Sequence, residues 1–221
     1  VPQLTVTQII ERKNAQGLWE AANSVVSGQI IRFTLTTRLT NQPATWMNQQ
    51  LRATVPKGLS QLSAATLTKQ SAAGLSTPIA GLQLLTDSST GLPYWSYHNS
   101  LPADNFTEAN TQFTLQYTAT VTEEWINQFL LFSSTVTGND GGGTPITPIT
   151  KEQSLPIKNG TLRFVQMPTT VSFKNLPFPS KRTIYSPSTI SAPFLIADGR
   201  VAKTPWHLLV RESAHAFNFY K

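Results

Sequence analysis

The chain has 221 residues, of which 39% are hydrophobic and only 13% charged, with no cysteine and a net charge of +6. That length accommodates one large or two small domains, and the absence of cysteine excludes a disulfide framework, thiolate chemistry and cysteine-ligated metals. Charge is scarce against the roughly 25% of an ordinary soluble domain, so Thr, Ser, Gln and Asn fill the water-facing positions, a choice that suits strands over helices.

The N-terminal residues Val1-Pro2-Gln3-Leu4-Thr5 carry no basic region and no apolar run of a signal segment. Strand patterning begins in earnest at residues 30–39. Ile31, Phe33, Leu35 and Leu39 share one face there, and Arg32, Thr34, Thr36 and Arg38 share the other. Residues 113–121 repeat the pattern, with Phe113, Leu115, Tyr117, Ala119 and Val121 predicted inward, and Leu130, Phe132, Ser134 and Val136 give a third copy. Gln42-Pro43, Pro56-Lys57-Gly58, Thr77-Pro78, Gly91-Leu92-Pro93 and Leu101-Pro102 break the chain into short pieces. One helical turn is predicted at Thr122-Glu123-Glu124-Trp125, where Thr122 would cap and the acids would meet the positive end of the turn. The expected class is all-β: an antiparallel sandwich followed by a second strand-rich unit.

The run from Gly138 to Pro148 holds three consecutive glycines and two prolines and reads as a linker, giving a sandwich over 1–138, a connection over 139–150 and a C-terminal module over 151–221. Charge shifts at the same place. Residues 1–140 hold 7 Lys or Arg against 8 Asp or Glu, whereas residues 151–221 hold 10 against 3. Such basicity either solubilises the C-terminal part or marks an anionic partner. Beyond the run, Leu162 and Phe164, Val171 and Phe173, Phe194 and Ile196, and Trp206, Leu208 and Val210 alternate as strands do.

Catalytic chemistry finds little footing. His98, His207 and His215 lie in no metal-ligand spacing, no nucleophile elbow is present, and the glycine run leads into proline where a phosphate cradle would need a helix. A glycosidase needs two carboxylates across a cleft, and although Asp104 and Glu108 are an available pair, spacing alone does not select them. The chain is therefore read as no enzyme and as needing no cofactor. Basic residues are scattered through strands and turns, with no basic helix and no aromatic ribonucleoprotein pattern, so a nucleic-acid partner is not expected. No apolar run is long enough to span a bilayer as a helix. The cluster Tyr94, Trp95, Tyr97 and His98, between Pro93 and Pro102, is the candidate binding feature of the N-terminal part; its rings either stack on a sugar or protein partner or close one end of the core.

Two stretches carry a family resemblance. Ser27-Gly28-Gln29-Ile30-Ile31-Arg32-Phe33-Thr34-Leu35-Thr36-Thr37 with Ala53-Thr54-Val55-Pro56-Lys57-Gly58-Leu59, and later Ser133-Ser134-Thr135-Val136-Thr137-Gly138, resembles the Ig-like conserved repeats of bacterial surface proteins. Gly160-Thr161-Leu162-Arg163-Phe164, Pro168, Val171-Ser172-Phe173, Phe194-Leu195-Ile196-Ala197-Asp198-Gly199-Arg200 and Trp206-His207-Leu208-Leu209-Val210 resembles, in order, a WxL domain. The resemblance implies a secreted Gram-positive cell-surface protein that associates non-covalently with peptidoglycan or teichoic acid, alongside other WxL or WxL-interacting proteins. Asp198 and Arg200 share a strand face, either pairing together or engaging a peptide stem or anionic polymer; Trp206 and Leu208 share another, as core or as ligand-facing groups. One departure stands out. The family normally carries a second W-x-L, and none of Trp19, Trp46, Trp95 or Trp125 begins one, so the module is expected to be incomplete, diverged, or completed by strand addition from another chain.

Overall fold

The computed structural model describes residues 1–122, 128–158, 162–172, 187, 189–198 and 205–208. Two sheets face each other across one core. The first runs β2 (Trp19–Ala21), β1 (Leu4–Lys13), β4 (Ile30–Leu39), β11 (Gln112–Val121), β7 (Thr66–Gln70) and β8 (Ser76–Pro78), with β6 (Leu59–Ser60) also on β11. The second runs β3 (Val25–Val26), β13 (Ile149–Lys158), β12 (Phe129–Asp140), β5 (Trp46–Thr54), β10 (Pro93–His98) and β9 (Gln83–Thr86). All pairings are antiparallel except the short β3–β13 contact.

The order β1-β4-β11-β7 reproduces A-B-E-D of an immunoglobulin-type sandwich, and β13-β12-β5 reproduces G-F-C. One insertion separates it from the plain form: between β7 and β11 the chain crosses to the second sheet, and β10 takes the open side of β5. The expected all-β, Ig-like class is thus what the chain adopts.

Alternation fixes which face goes inward. Ile31, Phe33, Leu35 and Leu39 of β4, Phe113 to Val121 at every second position of β11, and Leu130, Phe132, Ser134 and Val136 of β12 are all buried, as the pattern predicts. Aromatic rings join the layers: Phe33 stacks on Tyr117 at 4.9 Å and on Phe132 of the opposite sheet at 5.7 Å.

The glycine run is not a linker. Asp140 turns the chain within a few residues: its backbone N–H donates to Thr144, the Gly143 N–H donates back to its carbonyl, and its Oδ1 accepts the N–H groups of Gly142 and Thr144 at 2.9 Å each. The chain then returns as β13, paired along β12 from Val136↔Ile149 to Phe129↔Pro156, with Leu155 and Ile157 buried in the same core. The sandwich therefore extends to residue 158. A composition of glycine and proline describes a tight hairpin as well as a flexible tether, and the two differ only in what the following strand buries.

Beyond it, β14 (Leu162–Gln166) pairs with β17 (Leu195–Asp198) and β15 (Val171–Ser172) with β16 (Thr189–Ile190), in line with the alternation there. Trp206 and Leu208 depart from expectation: residues 205–208 belong to no strand, and both side chains are 41% exposed. The predicted helical turn falls largely on residues 123–127, outside the described residues.

A buried polar knot ties β5 to the segment after β10. Asn99 donates to Gln49 Oε1 and to Asn105 Oδ1, its Oδ1 accepts the Leu101 N–H at 2.7 Å, and Gln49 Nε2 donates to the Trp46 and Asp104 carbonyls. Gln49 and Asn99 are both buried, so every lost partner goes uncompensated by water. Asn99→Ala is expected to cost about 2 kcal/mol, read as a lower urea midpoint with an unchanged slope.

Candidate binding surface

In β10 the side chains divide by parity. Trp95 and Tyr97 point into the sandwich, at 8% and 3% exposure, where Trp95 lies 6.3 Å from the Tyr117 ring and Tyr97 meets Phe113 edge-on at 5.6 Å. Burial, with Asp104 adding to it, pushes the Tyr97 phenol up to about 12. These two rings are core, not contacts for a ligand. Tyr94 points the other way and lines a shallow cavity of about 200 Å³ on the outer face of the second sheet.

That cavity is walled by Thr54, Val55, Pro56, Leu92, Pro93, Phe129 and Leu131, with Arg52, Lys57 and Asp87 supplying charge. The Arg52 guanidinium lies 3.7 Å from the centre of the Tyr94 ring and pairs with the Asp87 carboxylate. Asp87 is itself fixed by the turn it opens: the Ser89 hydroxyl and the N–H groups of Ser89 and Thr90 donate to its Oδ1. The Ser89 hydroxyl foremost, then those backbone donors and Arg52, hold the carboxyl well below the usual carboxylate range. The result is a stack of turn, carboxylate, guanidinium and ring beside an apolar floor.

Phe129 and Leu131 complete that floor at 54% and 65% exposure. Sequence patterning names only their neighbours Leu130 and Phe132. The signal was nevertheless there: in a run of four apolar residues on a strand, two must face outward.

Of the other candidates, Asp198 sits in β17, half-buried, and Arg200 lies outside the described residues, so their pairing is not visible. Asp104 ends the 3-10 turn Pro102–Asp104, following the Lys69-bound Ala103 carbonyl, while Glu108 is exposed; neither lines the cavity. Among the described residues no group of three or more His, Asp or Glu is placed to hold a metal, and no helix is long and apolar enough to cross a membrane.

No protein-family model matches the chain, and no curated protein matches it. Several solved structures share its general form. The major pilin subunit BcpA of Bacillus cereus is 10% identical over 72% of this chain and 41% of its own, with a TM-score of 0.48. The collagen-binding subdomain of the Enterococcus faecalis surface protein ACE is 13% identical over 70% of this chain and 96% of its own, with a TM-score of 0.40. AvmM, which catalyses macrocyclization in alchivemycin A biosynthesis, is 9% identical over 71% of this chain and 89% of its own, at 0.38. The chain thus spans less than half the length of the BcpA chain.

Proposed function

We propose that this chain is a non-catalytic protein of the Gram-positive cell surface, held non-covalently to the wall through its basic C-terminal part. The observation that carries the reading is where the charge lies once the sandwich is correctly bounded. Residues 1–158 hold 9 Lys or Arg and 9 Asp or Glu, whereas residues 159–221 hold 8 against 2, so the entire net charge of +6 follows the last strand of the sandwich. A neutral, fully cored sandwich beside a strongly basic segment fits one part that stands off and one that attracts an anionic polymer such as teichoic acid or peptidoglycan stems. The exposed Trp206 and Leu208 add apolar surface to that basic part, in the W-x-L spacing whose family associates with the wall.

Sedimentation with purified cell-wall sacculi, with and without teichoic acid, tests this. The chain is expected to co-sediment at about 0.1 M salt and to be released toward 1 M, as the screening length contracts from roughly 10 to 3 Å. A chain ending at residue 158 should stay in the supernatant throughout. Failure of the whole chain to sediment at low salt would sink the proposal.

A further inference from the structure

Among the described residues the two sheets end in β2, β8, β3 and β9, with the two-residue β6 beside β7 on β11, and the ends other than β9 are guarded. β2 is three residues long and carries Glu20, paired with Arg12; β8 contains Pro78; β3 is two residues long. β9 has none of these devices. Its four residues, Gln83-Leu84-Leu85-Thr86, are uncharged, free of proline and all exposed, with Leu84 at 46% and Leu85 at 40%.

The hydrogen-bond phase of this edge can be read from the adjoining turn. Asp87 N–H donates to Leu92 O at 2.8 Å, one step beyond the Thr86↔Pro93 pair. Antiparallel pairs alternate between bonded and non-bonded, so Leu85↔Tyr94 is bonded while Thr86↔Pro93 and Leu84↔Trp95 are not. Pro93, having no N–H, suits its non-bonded place. The N–H and C=O groups of Leu84 and Thr86 therefore point away from β10, to the side where no described strand pairs.

This arrangement is self-complementary. A two-fold axis normal to the sheet at Leu85 sets Leu84 of one copy against Thr86 of the other, and the reverse, exchanging four backbone hydrogen bonds. Leu85 then faces Leu85 in the close, non-bonded position, on the same side of the sheet as Tyr94. Gln83 meets Asp87, whose charge Arg52 already balances, so no like charges are opposed. We propose that β9 is a self-association edge through which two copies of this chain join their second sheets into one continuous sheet. Such a contact buries less than roughly 1,000 Å² and gives a weak dimer, populated where copies are crowded on a surface.

Because the chain has no cysteine, one introduced thiol reports one contact. Leu85→Cys is expected to form a disulfide-linked dimer under mild oxidation, since facing non-bonded pairs place Cα atoms about 4.5 Å apart, within disulfide reach. Leu75→Cys, 70% exposed in the β7–β8 turn, should not exceed background. Adding Thr86→Pro to Leu85→Cys removes one outward donor per copy and none from the β9–β10 ladder, so the urea midpoint should hold while cross-linking slows about tenfold or more. Equal cross-linking at Leu75 and Leu85, indifference to Thr86→Pro, or capture of a different protein's strand in place of a second copy each overturns the proposal.

Discussion

A chain ending at residue 138, where the glycine run suggests a boundary, is expected to show no cooperative unfolding transition, whereas one ending at residue 158 unfolds as a single unit. The difference is β13. It carries Leu155 and Ile157 into the core at 1% and 2% exposure, and the hairpin leading to it adds Ile146 at 7%. Without them, Leu130, Phe132 and Val136 of β12 lose the strand beside them, and β12 itself becomes a long bare edge. Loss of a buried aliphatic side chain costs about 2–5 kcal/mol, so three of them together reach the whole stability of about 5–15 kcal/mol typical of a domain. Urea titration followed by circular dichroism separates the outcomes: matching sigmoidal transitions for the two chains would show that β13 is dispensable and that the sandwich closes without it.

The residues that made the fold legible are those where one physical signal dominates. In β4 and β11 the inward positions are apolar apart from Thr37, and the positions between them are Thr, Gln or Arg apart from Ile30, so period two assigns the buried face. Period two separates Trp95 and Tyr97 from Tyr94 within β10, but it does not say which face looks inward, because the cluster is aromatic on both. Composition over residues 139–150 reports local stiffness alone, whereas the deciding fact, that Leu155 sits opposite Leu130 across a hairpin and Ile157 joins the same core, is one of long-range pairing. The cavity depends on more distant partners still. Arg52, Asp87, Tyr94 and Phe129 come from four separate stretches of chain, and only the sheet order β12-β5-β10-β9 brings them together. Lys151, Glu152 and Lys158 of β13 belong to the sandwich and leave it neutral, so the excess positive charge lies beyond residue 158.

Gly138→Ala is expected to cost about 4 kcal/mol, while Gly142→Ala, four residues on, changes stability by less than about 1 kcal/mol. Gly138 sits where β12 shifts register on β5, between the Thr137 and Asn139 pairs, with φ at +154°, a conformation open essentially to glycine. A Cβ there would lie 2.4 Å from Trp46 Nε1 and 2.6 Å from the Met47 carbonyl oxygen. Neither neighbour has room to yield. Trp46 is fully buried, edge-on to Phe106 at 5.2 Å and to Phe113 at 6.0 Å, and Met47 is held in the ladder opposite Asn139. Any relief would pull β12 from β5 at the point where the Gly138 carbonyl also accepts the Ile146 N–H that anchors the hairpin. Overpacking and backbone strain each contribute about 1–3 kcal/mol, and this one methyl group incurs both. At Gly142 the nearest atom is the Asp140 carboxylate at 3.4 Å, an ordinary van der Waals contact that a Cβ would make without displacing it. Urea midpoints for the two variants provide the comparison. Equal midpoints would mean that the Trp46 contact is loose in solution and that this corner of the sandwich is held by the hairpin alone.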